Sequence, residues 1–192
     1  MIMTEKTALP LSPLAALQRL FARFHDQGMI IEGIAVSMLG RPRFTADVDA
    51  VMLVSTEELP ELMEAAAQEG FVPRISDAVD FARRRKVLLL RHAASGIDAD
   101  IALGSLPFEM EAVRRSIIHH VGELSIRLPT PEDLIVFKAV AHRPQDLLDI
   151  QSIVSAHPNL DRARIERWVR SFAEALDMPE LWDDISSLLG PC

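Results

Sequence analysis

Two aspartates spaced one residue apart, Asp47 and Asp49, open an apolar run that continues through Val54. In an extended strand, residues two apart project from the same face, so these carboxylates stand together while Val48 and Ala50 face the other way. Like charges held this close raise each other's pKa unless a cation lies between them. Hard divalent ions such as Mg²⁺ or Mn²⁺ take carboxylate oxygens and keep waters and substrate phosphates as their remaining ligands. The pair therefore suits a metal–nucleotide site. The plainer alternative for so short a pattern is that both acids face water at the end of a strand.

Three neighbouring features favour the site. Gly33 lies upstream between a short apolar run and a helix-like one, where a glycine lets backbone approach a phosphate and a following helix aims N–H groups at it. Arg41, Arg43 and Thr45, between the glycine and the aspartates, supply cationic and hydroxyl donors for phosphate oxygens. Asp98 and Asp100 repeat the same-face pairing in "IDADIALG", and one of them can act as a third carboxylate from a neighbouring strand.

The segment "IEGIAVSMLGRPRFTADVDAVM", residues 31–52, resembles the nucleotidyltransferase superfamily of the DNA polymerase β type, in which a glycine turn precedes a D-x-D strand. Thirteen residues separate Gly33 from Asp47, at the long end of the family's spacing. A second segment, "LPTPEDLIVFKAVAHRPQDLLDIQSIV", residues 128–154, resembles the C-terminal helical signature of the AbiEii-like toxin branch, with Leu134, Lys138, Ala141, Arg143, Asp146 and Asp149 at the patterned positions. The likeness covers roughly residues 15–157. It departs from the family at Glu32, which stands where the first glycine of the turn is usual.

The resemblance implies a Mg²⁺- or Mn²⁺-dependent transfer of a nucleoside monophosphate from an NTP to an acceptor. Asp47, Asp49 and Asp100 would be the catalytic and metal-binding carboxylates, with Asp98 the competitor for the third place. Gly33, Arg43, Thr45 and Lys138 would bind the nucleotide. The acceptor would be RNA (a tRNA among them), a protein or a small molecule, and the branch implies a toxin whose partner is an antitoxin. A catalytically inactive binding or regulatory protein of the same fold is the alternative, since fold alone does not fix function.

The elements that must position these groups are legible from periodicity and punctuation. Leu17, Leu20, Phe21 and Phe24 give a helix over residues 14–27, ended near Gly28. "MIIE" reads as a strand, "IAVSMLG" as a short helix and "DVDAVMLV" as a strand. Ser55 and Glu58 stand at capping-box spacing before a helix that closes at Gly70. "KVLLLRH" and "IDADIALG" form paired strands around the turn "AASG". A helix over 107–115 and weaker strands in "SIIHHV" and "LSIRL" follow. Thr130-Pro131-Glu132-Asp133 opens a helical remainder, broken at Arg143-Pro144, His157-Pro158 and Met178-Pro179. Leu160, Ile165, Trp168, Val169, Phe172 and Leu176 line one apolar face there, and Trp168 and Trp182 read as core anchors. The expected fold is α/β (α+β): a small mixed sheet flanked by helices over 1–128, with a helical portion over 129–192 packed on it.

Composition narrows the class. Hydrophobic residues make up 49% of the 192 and charged residues 25%, an ordinary globular balance. The single cysteine, Cys192, excludes an intramolecular disulfide framework and a Cys-based zinc site, and points to a reducing cytoplasm. The N-terminus lacks the uninterrupted apolar stretch of a signal peptide, and no apolar run is long enough to span a membrane. A net charge of -8 and the lack of tyrosine argue against non-specific nucleic-acid binding and aromatic base-stacking platforms. Arg83, Arg84, Arg85 and Lys86 form a local basic cluster, read first as a solvated edge beside a strand. His119 and His120 are adjacent and face opposite ways in a strand, and His142 reads as a surface residue.

Overall fold

Alternation of buried and exposed residues builds the sheet that carries the aspartates. The computed structural model describes residues 9–42 and 45–190, and the chain divides into two compact units. The first comprises residues 1–34 and 44–129, the second residues 35–43 and 130–192. The units are therefore not contiguous in sequence: residues 35–43 belong with the helical remainder. As the sequence predicts, the fold is mixed α/β.

In the first unit, α1 (Leu11–Arg23) precedes β1 (Gly28–Ile31), and α2 (Glu32–Leu39) begins there and ends in the second unit. Then come β2 (Asp47–Met52), α3 (Leu59–Gln68), β3 (Phe71–Pro73), α4 (Ala78–Arg85), β4 (Val87–His92) and β5 (Asp98–Leu103). α5 (Pro107–Arg115), β6 (Ile117–Val121) and β7 (Leu124–Leu128) complete it. The five-stranded sheet has the order β1-β2-β5-β4-β3, and β6 and β7 make a separate antiparallel pair. Only β2 and β5 are parallel; the other neighbours run antiparallel.

One face of the central strands is dry. Val48, Ala50, Leu88, Leu90, Ala99 and Ile101 are all 0–1% exposed. Each large aliphatic side chain so buried contributes about 1.5–3 kcal/mol. Gly28 is required by packing, because a Cβ there would lie 2.6 Å from the Phe21 ring of α1. The Gln18 side-chain oxygen of α1 accepts the Arg127 N–H of β7 at 3.1 Å, tying the helix to the small sheet.

The structure alters the reading of α3. Ser55 does not cap it: the helix starts at Leu59, and the Glu58 carboxylate instead accepts the Ser55 N–H at 2.9 Å in a turn before the helix. It also adds β3 and α4, which were not anticipated. Arg83, Arg84 and Arg85 fill the last turn of α4, exposed, with Arg83 on Asp80 and Arg84 on Asp77. Lys86 ends that helix at φ 57°.

The second unit is helical: α6 (Pro131–Ala141), α7 (Pro144–Ala156), α8 (Arg162–Leu176) and α9 (Glu180–Leu189), together with the end of α2. The Thr130 hydroxyl accepts the Asp133 N–H as the N-cap of α6, a bond worth about 1 kcal/mol. Each proline or αL break falls where the sequence puts it: His142 ends α6 at φ 49° and Asp177 ends α8 at φ 55°. Ile165 and Val169 are fully buried, while Leu176 is an exposed member of the expected face. Trp168 stacks on Phe172 with ring centroids 6.3 Å apart, and Arg167 and Arg170 lie over Trp168 and Trp182. None of the described helices is long and apolar enough to cross a membrane.

Candidate active site

Parallel pairing sets the four aspartates side by side. Asp47 stands opposite Asp98, and Asp49 opposite Asp100. These positions alternate with the buried Val48 and Ala99, so all four carboxylates occupy the wetter face. β4 and β3 extend both rows. Asp98 pairs with Arg91 and then Val72, and Asp100 pairs with Leu89, whose carbonyl accepts the Arg74 N–H at 3.0 Å. On the other side Ile31 faces Asp49, which sets the Glu32-Gly33 turn next to the Asp49 row.

Two guanidinium groups meet Asp98 and Asp100. Arg74 donates to Asp98 at 2.8 Å and also to Asp100 through its other terminal nitrogen, and Arg91 donates to Asp98 at 2.6 Å. The bond from Arg91, joined by Arg74, holds the Asp98 carboxyl below the usual carboxylate range. Burial pushes Asp100 the other way; Arg74 offsets only part of this, and the charges of Asp47 and Asp98 add to it. Asp98 is thus neutralised by two arginines, whereas Asp100 still favours a further cation.

Thr45, read from the sequence as a phosphate donor, hydrogen-bonds the Asp47 carboxylate at 3.0 Å and so orients a carboxylate. Gly33 is buried in the β1–α2 turn. Glu32 takes φ 52° there, a left-handed conformation that costs an L-residue with a side chain about 1–2 kcal/mol and costs glycine little. That is a physical reason for the family's glycine at this position. Arg43 lies outside the described residues. Arg41 belongs to the second unit, where its N–H donates to the Ser152 hydroxyl at 3.3 Å.

Lys138 requires a correction. Its ammonium is 1% exposed and held by Asp146 at 2.9 Å and Asp149 at 3.2 Å, all within the helical unit. Asp146 also accepts the Arg143 backbone N–H at 3.0 Å and its Nε at 2.6 Å, and Asp149 accepts from Gln145 at 2.9 Å. The signature residues 138–149 are a buried ion network, and a lysine so enclosed presents nothing to a phosphate. His120 meets Ser125 at 3.1 Å and His142 meets Asp184 at 3.2 Å, so neither histidine joins the aspartates.

Among the described residues no three His, Cys, Asp or Glu side chains converge tightly enough to hold a metal ion. The donor set nonetheless fits a hard divalent ion in kind. It offers carboxylate oxygens, and Asp100 keeps a raised pKa with Arg74 already upon it. A cleft of about 840 Å³ opens instead at the far ends of β2 and β5, lined by Leu53, Ser55, Lys86, Leu103, Ser105 and Arg114. It contains none of the four aspartates, and the site is assigned by charge and register rather than by concavity.

Sequence reasoning missed Arg74. It lies in the stretch 71–85, where a three-residue strand and a short helix leave no periodic signal. Only the sheet order brings it across β4 to Asp100.

No protein-family model matches the chain, and no curated protein matches it in sequence. Among solved structures it is similar to the antibiotic-resistance factor ANT(2'')-Ia, at 14% identity and a TM-score of 0.54 over 90% of this chain and 97% of that one. It is also similar to an antigenic nucleotidyltransferase-like protein from Paracoccidioides brasiliensis, at 15% identity and a TM-score of 0.48 over 92% of each chain. At such identities the likeness is one of fold alone.

Proposed function

We propose that this protein transfers a nucleoside monophosphate from an NTP to an acceptor at the paired aspartates of β2 and β5. The observation that carries the reading is the register of Asp49 against Asp100 on one face, in a fold of the nucleotidyltransferase kind. Asp47, Asp49 and Asp100 would hold Mg²⁺ or Mn²⁺, which when bound supplies positive charge to the phosphate oxygens. Around it the chain's own groups have separate tasks. Thr45 orients Asp47. The Gly33 turn brings backbone beside Asp49, where N–H groups can meet a phosphate. Asp100, with its raised pKa, is suited to take the proton of the attacking hydroxyl.

The narrower form of the proposal is a toxin of a toxin–antitoxin pair acting on tRNA or a protein hydroxyl in the cytoplasm. It is supported by the resemblance of residues 128–154 alone. A small-molecule acceptor is the competing form. The likeness to an antibiotic-resistance factor is compatible with it.

A second reading, an inactive binding or regulatory protein, is favoured by two departures: the strained Glu32 at the turn and the arginine on Asp100. The test is transfer of label from each NTP with Mg²⁺ or Mn²⁺ into a cell extract, followed by separation of RNA, protein and small molecules. We expect label in one fraction, lost by at least about a hundredfold in Asp47→Ala and Asp49→Ala. Transfer that survives both substitutions would sink the site. No transfer by the intact protein would leave the inactive reading.

A further inference from the structure

The Asp98–Arg74–Asp100 bridge has no role in the proposed chemistry as it stands, because it engages the carboxylate a metal would need. We infer that Arg74 and the divalent ion compete for Asp100, so that Arg74 is a positioning residue that sets the metal affinity of the site. The inference rests on the metal–nucleotide reading above.

Register argues for it first. The Arg74 backbone is fixed on β4 through Leu89, and Leu89 is the partner of Asp100. The arginine side chain crosses one strand and reaches the acids from the β4 side, whereas Asp47 and Asp49 flank the same acids from the β2 side. A cation shared by Asp49 and Asp100 would therefore approach Asp100 opposite the guanidinium. Two cations on one carboxylate repel, so filling one place weakens the other.

The hydrogen bonds argue for it next. Asp98 accepts from Arg91 as well as Arg74, so it anchors the guanidinium and does not depend on it. Among the described residues Asp100 pairs with Arg74 alone and remains partly exposed, at 36% of its side chain. The Arg74 Nε is buried without a hydrogen-bond partner. A guanidinium with a buried donor unsatisfied is incompletely accommodated, and a shift away from Asp100 costs it less than leaving a fully paired seat. The anchor on Asp98 keeps it beside the site after such a shift. There its remaining donors suit a phosphate oxygen.

Competition of this kind is reciprocal, and direct metal binding reads it without any turnover. Mn²⁺ is titrated against the full-length protein at neutral pH, with the electron paramagnetic resonance signal of free Mn²⁺ as the readout. The proteins are wild type, Arg74→Gln, Arg74→Lys, Asp100→Asn, the Arg74→Gln/Asp100→Asn double variant, and Asp49→Asn in the wild-type and Arg74→Gln backgrounds. Thermal melting of each establishes that it is folded. Arg74→Gln is expected to bind Mn²⁺ about tenfold more tightly than wild type, with Arg74→Lys between them. Asp100→Asn is expected to bind more weakly, and the double variant no more tightly than Asp100→Asn.

Equal affinity in wild type and Arg74→Gln, with Asp49→Asn still weakening both, would overturn the competition and leave the metal site standing. Tighter binding in Arg74→Gln that persists undiminished in the double variant would also overturn it, since Asp100 would not be the shared ligand. Failure of every variant to bind Mn²⁺ would overturn the metal reading and this inference with it.

Discussion

Two clusters in this protein combine aspartates with basic side chains, and they are built to opposite ends. In the helical unit, Asp146 and Asp149 are 1% and 3% exposed and accept from Lys138, Arg143 and Gln145. In the sheet unit, Arg74 and Arg91 meet Asp98 and Asp100, and Asp47 lies exposed at the strand's start. Burial pushes up both Asp146 and Asp100. Hydrogen bonds from Arg143 and Lys138 reverse this for Asp146 and hold it below the usual range, whereas Arg74 does not reverse it for Asp100. A carboxylate whose demand for positive charge is met inside the fold is structural. One whose demand is not met is available for a ligand.

The contrast breaks most readily at Lys138. Lys138→Met would leave two buried carboxylates without their ammonium and should cost about 3–5 kcal/mol. Chemical denaturation measures it, and a loss below about 1 kcal/mol would remove the structural side of the comparison. The pH dependence comes next. The folded pKa of Asp146 lies below its unfolded value, so its contribution is present above the ordinary carboxylate range and is lost as pH falls through the depressed value. Wild type should therefore lose stability on acidification below about pH 4, by at most about 1.4 kcal/mol per pH unit from this group. Asp146→Asn, though less stable throughout, should lack that component in denaturation series run at several pH values.

Smaller effects sharpen the sheet side. Glu32→Gly relieves the positive φ, and thermal or chemical unfolding should register a gain of about 1 kcal/mol. If the glutamate also repels the triphosphate, fluorescent-nucleotide titration should give a tighter Kd in the same variant. Asp47→Asn is the smallest in stability, within about 0.5 kcal/mol, because the side chain is exposed and sits among like charges. A stability loss comparable with that of Lys138→Met would make the two clusters equivalent and dissolve the distinction.

The central strands and α5 could be read from the sequence because each announces itself locally. β2, β4 and β5 alternate around apolar positions, and Pro107 opens α5 at its first turn. The same-face pairing of Asp47 with Asp49, and of Asp98 with Asp100, follows from strand period alone. Their lateral register does not, since no single strand encodes which neighbour it meets. Arg74 was hidden for that reason. It follows a three-residue edge strand, and the helix after it buries only Ala78 and Ala82. The nucleotide role of Lys138 was implied by the resemblance of residues 128–154, not by its own spacing, and its enclosure by Asp146 and Asp149 has no local signal. Asp146 and Asp149 in the next helix were noticed, but their burial could not be seen in sequence.

The division of the chain has a consequence for how the protein can be taken apart. Residues 35–43 lie between the Gly33 turn and the Asp47 strand, yet they belong with the helices. There the Leu39 carbonyl meets His157 at 2.7 Å, and a Cβ on Gly40 would lie 3.4 Å from Ile153. A cut at residue 129 would strand the buried Val36 and Leu39 without the helices they pack on. The helical portion is thus not a detachable cassette. Exchanging it for another tail would mean rewriting residues in the middle of the site-bearing segment as well.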